Sequence, residues 1–216
     1  MHRTSSSTGS ESAPHRELPR CKLYFARHGE TDWNAERRLQ GQRDVPLNAL
    51  GRKQAARCGE LLQDLFAGAG ATAQQFFFTS SPLSRARETM EILRGRLGLP
   101  PRDYATDARL AELSFGRWEG LTCKEVRAQD RSVLATRERD KWNFQPPGGE
   151  SYAQLLVRVR AWLDAVSGDA VVTAHGGVAR VLLVLYGIKT PDEAPLGDIA
   201  QGVVYEFVPG SMNRYG

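Results

Sequence analysis

Two of the four histidines in this chain stand where chemistry could be done. His28 follows the apolar run Lys22-Leu23-Tyr24-Phe25-Ala26, with Arg27 before it and Gly29 after it. His175 follows Ala170-Val171-Val172-Thr173-Ala174 and precedes Gly176-Gly177; the other two histidines lie in a polar N-terminal stretch. An imidazole with one unprotonated ring nitrogen near neutral pH can act as a nucleophile. A neighbouring arginine offers a planar fork that holds two oxygens of an anion at once. One histidine in such a place reads most simply as a satisfied core residue. Two placed alike, each at the end of an apolar strand and before glycine, predict one site assembled from both. Open α/β sheets bind their ligands there, outside the carboxyl ends of the strands.

The elements that must carry these residues follow from periodicity and punctuation. Residues 31–47 read as a loop, broken by Gly41, Pro46 and mixed charge. Asn48 is a good N-cap for a helix with Leu50, Ala55, Cys58, Leu61, Leu62 and Leu65 on one face, ending at Gly68. Residues 76–79 read as a short buried strand, and Ser81-Pro82 as a sharp helix start, with Gly98 and Pro100 ending that helix after Leu97. An extended segment is expected over 109–113 and a charge-rich, partly helical insert over 121–145. Ser151 caps a helix with Leu155, Leu156, Val159, Trp162 and Leu163 facing inward. Strand 170–174 then leads into helix 177–185, and strand 203–208 closes the sheet. Alternating strands and helices predict an α/β fold, a three-layer α/β/α sandwich with a mostly parallel central sheet and a small helical cap insert. The expected organisation is a disordered tail over 1–20 and one domain over 21–216.

Bulk properties narrow the function classes. At 216 residues, 41% hydrophobic and 25% charged, the composition is ordinary for a soluble globular protein, and no apolar run approaches a membrane span. The net charge is +4. No long basic run or aromatic-interleaved patch accompanies it, so a small anionic substrate is expected rather than nucleic acid or membrane. Cys21, Cys58 and Cys123 have neither metal-ligand nor redox spacing, which favours a reducing compartment, the cytoplasm. The first twenty residues lack the apolar core of a secretory signal. A homodimer is left open.

The segment Arg27-His28-Gly29-Glu30-Thr31 resembles the signature of the histidine phosphatase superfamily, the phosphoglycerate mutase-like enzymes. The resemblance runs from about residue 22 to about residue 208. It continues in family order through Leu39-Gln40-Gly41-Gln42, Ser80-Ser81-Pro82-Leu83-Ser84-Arg85-Ala86, Leu110-Ala111-Glu112, Phe115-Gly116-Arg117-Trp118-Glu119-Gly120, Pro147-Gly148-Gly149-Glu150-Ser151 and Ala174-His175-Gly176-Gly177. It implies that His28 is a nucleophile that becomes a phosphohistidine, that Arg27 and Arg85 clamp the phosphoryl oxygens, and that His175 stabilises their charge. Phosphoryl transfer needs such cations around the equatorial oxygens, and they in turn keep His28 neutral. The resemblance places the general acid and base at Glu112 and leaves Glu119 to hold the loop. Thr31 and Asn34 become phosphate hydrogen-bonders, and Gln40, Gly41 and Gly176 substrate contacts. Taken alone, Arg85 reads as a surface partner of Glu88 or Glu91, and the loop residues as ordinary turn chemistry.

No metal or cofactor is expected, since neither an Asp/Glu cluster nor His/Cys spacing is present. The chain is short for the mutase branch, and its Phe115–Gly120 stretch resembles the phosphatase branch. The implied function is therefore hydrolysis of a small phosphorylated metabolite. A cofactor-dependent phosphoglycerate mutase and a non-catalytic phospholigand-binding protein are the alternatives, the latter being expected to lose His28, Arg85 or His175. The insert should cap the site, with Arg131, Arg137, Arg139, Trp142 and Phe144 offering charge and aromatic surface to the substrate.

Overall fold

Strands β1 (Leu23–Arg27) and β4 (Ala170–Ala174) lie side by side and parallel at the centre of the sheet. Their near-continuous apolar sequence is what a strand covered on both faces requires. In the computed structural model, which describes residues 18–216, the sheet has the order β3-β2-β4-β1-β5-β6. The remaining strands are β2 (Phe77–Ser80), β3 (Ala105–Thr106), β5 (Val204–Val208) and β6 (Ser211–Tyr215). β1 to β4 run parallel, whereas β5 is antiparallel to β1 and β6 to β5. The helices are α1 (Asp32–Ala35), α2 (Ala49–Gly68), α3 (Ser84–Arg96), α4 (Cys123–Gln129), α5 (Arg131–Arg139), α6 (Tyr152–Leu163) and α7 (Gly176–Leu185).

Alternation along β1 sends Leu23 and Phe25 to one core and Tyr24 and Ala26 to the other. The first core is completed by Leu155, Val159 and Trp162 of α6 with Val178, Val181 and Leu182 of α7. The second takes Cys58 and Leu62 of α2 with Met90 and Leu93 of α3. The expected three-layer sandwich is the result. No described helix is long and apolar enough to cross a membrane.

Several elements depart from the sequence expectation for identifiable reasons. The loop over 31–47 contains α1, because Thr31 and Asn34 cap it reciprocally. Leu50 is 49% exposed, and Gly51 is the residue that α2 turns inward. Phe77 is 60% exposed because period-two alternation points it away from Phe78. The helix read from Ser81-Pro82 begins at Ser84 instead. Its first turn is capped from a distance: Asp44 Oδ1 accepts from Ser84 N at 2.8 Å and from Ser84 Oγ at 2.7 Å. The stretch 109–113 begins as a 3-10 turn over Ala108–Leu110, and the short strand lies earlier, at β3. β5 does not close the sheet; a tight turn at Gly210 (φ +75°) returns the polar strand β6.

The insert forms α4 and α5 around a small cluster of Trp118, Val126 and Leu134. Of its two aromatics, Trp142 is buried and Phe144 partly buried. Trp142 stacks on Tyr152 at 5.8 Å and Phe144 on Trp118 at 5.6 Å. Of the expected disordered tail, residues 1–17 lie outside the described residues, and Pro19 is buried against the domain.

Candidate active site

In the β1–β4 ladder Arg27 is paired with Ala174, so the next residues in each strand, His28 and His175, emerge together. The ladder extends one step further, since His28 N donates to Ala174 O at 2.9 Å. The ring centroids are 5.2 Å apart. Gly29 is required at the following position because a Cβ there would collide with the backbone of Gly51 in the first turns of α2.

His28 Nδ1 lies 2.7 Å from Gly29 O. A carbonyl oxygen only accepts, so Nδ1 carries the proton and Nε2 keeps a free lone pair. His175 Nε2 meets Ser81 Oγ at 2.7 Å. Both imidazoles are pushed well below their ordinary pKa. Burial acts first on each, followed by the Arg27 and Arg85 charges on His28, and by Arg85, His28 and Arg27 on His175. Burial is also the main influence that lowers the pKa of Arg27 and of Arg85.

Arg85 is fully buried, which removes the surface-pair reading; Glu88 pairs with Arg52 and Glu91 with Arg102. Its Nη1 donates to Arg43 O at 2.7 Å and Nη2 to Gly41 O at 2.8 Å. Arg27 Nη1 donates to Ile199 O at 2.8 Å. Buried side-chain polar atoms almost always find partners. Among the described residues four do not: Arg27 Nε, Gln40 Oε1, Arg85 Nε and His175 Nδ1. All four belong to residues singled out in the sequence. Two buried guanidinium nitrogens and an imidazole nitrogen without partners are an environment that an oxyanion would complete.

Glu112 reaches the first turn of α7. Its Oε1 accepts from Leu113 N at 2.8 Å and Gly177 N at 3.1 Å, while Oε2 has Gly177 N at 3.3 Å. Arg158 holds the chain at this point. It donates to Arg109 O at 2.6 Å and Glu112 O at 3.1 Å, and pairs through two nitrogens with Glu150 at 2.8 Å each. Glu119 has a different environment. Its Oε1 accepts from Gln42 N, Ser114 Oγ and Phe115 N at 3.0, 3.1 and 3.2 Å, stapling two loops together. Gly41, at φ +54°, packs so closely on Glu119 that a Cβ would overlap it.

The other sequence candidates sort unevenly. Thr31 and Asn34 are occupied with one another in the cap of α1, and Asn34 Oδ1 also accepts from Gln201 Nε2 at 3.1 Å. Gln40 is buried, and Gly176 lies beneath the Arg27 and Arg180 guanidinium groups. Sequence reasoning assigned no site role to Ser81, Gln201, Arg158 or Arg180. Only Ser81 carried a local signal, and it was read as a helix cap.

Two buried, neutral imidazoles couple folding to pH. Their folded pKa values lie below the unfolded value of about 6.5, so in acid the unfolded chain binds protons that the folded chain refuses. Stability is fully present above about pH 6.5 and falls as the pH drops from there toward the folded values. The expected result is a melting temperature that declines between pH 7 and pH 5, with a shallower decline in His28→Asn. A flat profile, or equal slopes for both proteins, contradicts this account.

The profile of the histidine phosphatase superfamily (branch 1) matches residues 23–208. A glucosyl-3-phosphoglycerate phosphatase of Mycolicibacterium vanbaalenii is 35% identical over 190 residues, covering 82% of this chain and 79% of the relative. A protein named "Probable phosphoglycerate mutase GpmB" from Salmonella paratyphi C is 36% identical over 167 residues, covering 77% and 70%. Among solved structures, the mycobacterial glucosyl-3-phosphoglycerate phosphatase superposes with a TM-score of 0.72 at 29% identity, covering 86% of this chain and 89% of that one. The alpha-ribazole phosphatase of Shigella flexneri shares the fold, with a TM-score of 0.73 at 23% identity over 86% and 89% of the two chains.

Proposed function

The chain belongs to the histidine phosphatase superfamily, and from that premise we propose that it hydrolyses phosphomonoesters of a small metabolite through a phosphohistidine on His28. The observation that carries this reading is the set of unpartnered buried nitrogens on Arg27, Arg85 and His175 around an imidazole whose Nε2 is free. In the first step the Nε2 lone pair attacks phosphorus in line with the ester oxygen. The P–O bond breaks as that oxygen takes a proton from Glu112, while Arg27, Arg85 and His175 carry the charge on the equatorial oxygens. In the second step the Glu112 carboxylate takes a proton from water. The resulting P–O bond replaces P–N, which returns His28 and Glu112 to their starting states. Positive charge around the phosphoryl group comes from guanidinium groups, so no step calls on a metal ion. The three unpaired thiols suit a reducing, cytoplasmic setting.

Relatives carry both phosphatase and mutase names, and one experiment separates the two activities. The protein is incubated with 3-phosphoglycerate, a trace of 2,3-bisphosphoglycerate and excess chelator, and both inorganic phosphate and 2-phosphoglycerate are followed. Phosphate release that outpaces isomerisation is expected. Isomerisation faster than release makes the chain a mutase. Activity lost in chelator and restored by magnesium or zinc removes the histidine mechanism.

A further inference from the structure

The sheet order β2-β4-β1 sets three residues in a row at the carboxyl ends of adjacent parallel strands: Ser81, His175 and His28. Ser80 pairs with Thr173 in the last step of the β2–β4 ladder, and Ser81 N then donates to Thr173 O at 3.0 Å. The Ser81 carbonyl is held as well, accepting from Ser80 Oγ at 2.9 Å. Ser81 is fully buried on this fixed backbone, and its hydroxyl meets His175 Nε2 at 2.7 Å.

The other contact of the hydroxyl decides which way that bond runs. Leu83 N lies 3.3 Å from Ser81 Oγ and can only donate, so it occupies a lone pair of the oxygen. Among the described residues no carbonyl or carboxylate takes the hydroxyl proton, which leaves Nε2 as its acceptor. With the proton on Nε2 instead, Ser81 Oγ would receive two donors and its own buried proton would have no partner, at the cost of a lost hydrogen bond. With Ser81 donating, the imidazole proton sits on Nδ1, the ring nitrogen that is buried without a partner. A neutral ring must choose one nitrogen, and burial with the charges of Arg85, His28 and Arg27 keeps His175 neutral. A bare lone pair on Nδ1 would repel a phosphoryl oxygen, whereas Nδ1–H donates to it.

We propose that Ser81 is a positioning residue whose hydroxyl donates to His175 Nε2 and locks that imidazole as the Nδ1–H tautomer, so that it meets the phosphoryl group as a donor. The proposal rests on the phosphatase reading and gives a task within it to a residue that touches no substrate atom. His28 holds the same tautomer by the opposite device, a carbonyl that accepts from Nδ1. It thus presents a lone pair to phosphorus where His175 presents a proton to oxygen.

The tautomer is read directly by NMR of protein with isotope-labelled histidine rings, because protonated and bare ring nitrogens differ widely in chemical shift. His175→Asn assigns the signal. In wild type near neutral pH, His175 should carry its proton on Nδ1, with or without orthovanadate. In Ser81→Ala the proton should be shared with Nε2, and kcat/KM for p-nitrophenyl phosphate should fall on the order of 10- to 100-fold, the worth of one charge-assisted hydrogen bond. Loss of the Leu83 contact lowers stability in that variant but does not choose between the ring nitrogens. Ser81→Thr keeps the hydroxyl and should restore both the tautomer and most of the rate. A wild-type His175 protonated on Nε2 overturns the proposal, whichever variants fold. So does a folded Ser81→Ala in which the tautomer or the rate is unchanged. A wild type with the Nδ1–H tautomer that releases phosphate from neither p-nitrophenyl phosphate nor 3-phosphoglycerate overturns the phosphatase reading instead and leaves the lock standing.

Discussion

His28→Ala is expected to abolish turnover, with a loss on the order of 10⁴-fold or more in kcat, the scale on which removal of a covalent nucleophile acts. No neighbouring group is placed to take over. His175 spends Nε2 on Ser81 Oγ and, in its charge-stabilising role, carries its proton on Nδ1, and the Thr31 hydroxyl is committed to capping α1. The variant should stay folded, because a neutral ring is removed while the anchors of Arg27 and Arg85 on Ile199, Gly41 and Arg43 remain. Rates measured with p-nitrophenyl phosphate and with a sugar phosphate should fall together, and a rapid acid-free quench should find no protein-bound phosphate. Retention of more than a few per cent of wild-type rate by a folded variant means that another residue accepts the phosphoryl group.

Glu112→Gln should divide substrates by leaving group. A sugar alkoxide needs a proton as the P–O bond breaks, whereas an aryl oxide leaves with little help. Loss of a general acid costs about 10²–10⁴-fold where that proton matters, so the first step should suffer on that scale with sugar phosphates and far less with aryl phosphates. The amide can still accept from Gly177 N and Leu113 N, so the substitution tests chemistry rather than the loop. Because the carboxylate also activates water, label should accumulate on His28 as an acid-labile, base-stable adduct. Glu119→Gln should instead lower all substrates alike, through the loops that its Oε1 staples. If Glu119→Gln shows the leaving-group dependence and Glu112→Gln does not, the acid is Glu119.

What the sequence disclosed depended on whether the cause was local. β1 and β4 were legible because burial on both faces leaves an unbroken apolar run, and α2 and α6 because Asn48 and Ser151 cap their own helices. The start of α3 was not, since its cap is Asp44, forty residues upstream by number and adjacent only in space. β6 is polar on an exposed edge and has no apolar alternation to betray it. The insert was visible as a change in composition, but the ring partners of Trp142 and Phe144, Tyr152 and Trp118, were not. At the site, His28, His175 and Arg85 announced themselves through strand ends, glycines and family motifs. Arg158 and Arg180 sit within ordinary helical patterns, and what they pack against, the Glu112 backbone and Gly176, is near them only in space.

The bond from His28 N to Ala174 O makes the reacting pair a continuation of the innermost ladder of the sheet. In hydrogen-exchange language, the amides that fix the pair are expected to fall in the slowest class, opening only when β1 and β4 part and the whole domain unfolds. The insert, with α4 and α5 around a buried cluster of Trp118, Val126 and Leu134, has a much smaller core and is expected to open at lower free energy. Amides of the insert are thus expected to exchange through sub-global openings that leave the distance between the two imidazoles unchanged. Substitutions in the insert should therefore cost little global stability, and substitutions in the ladder much.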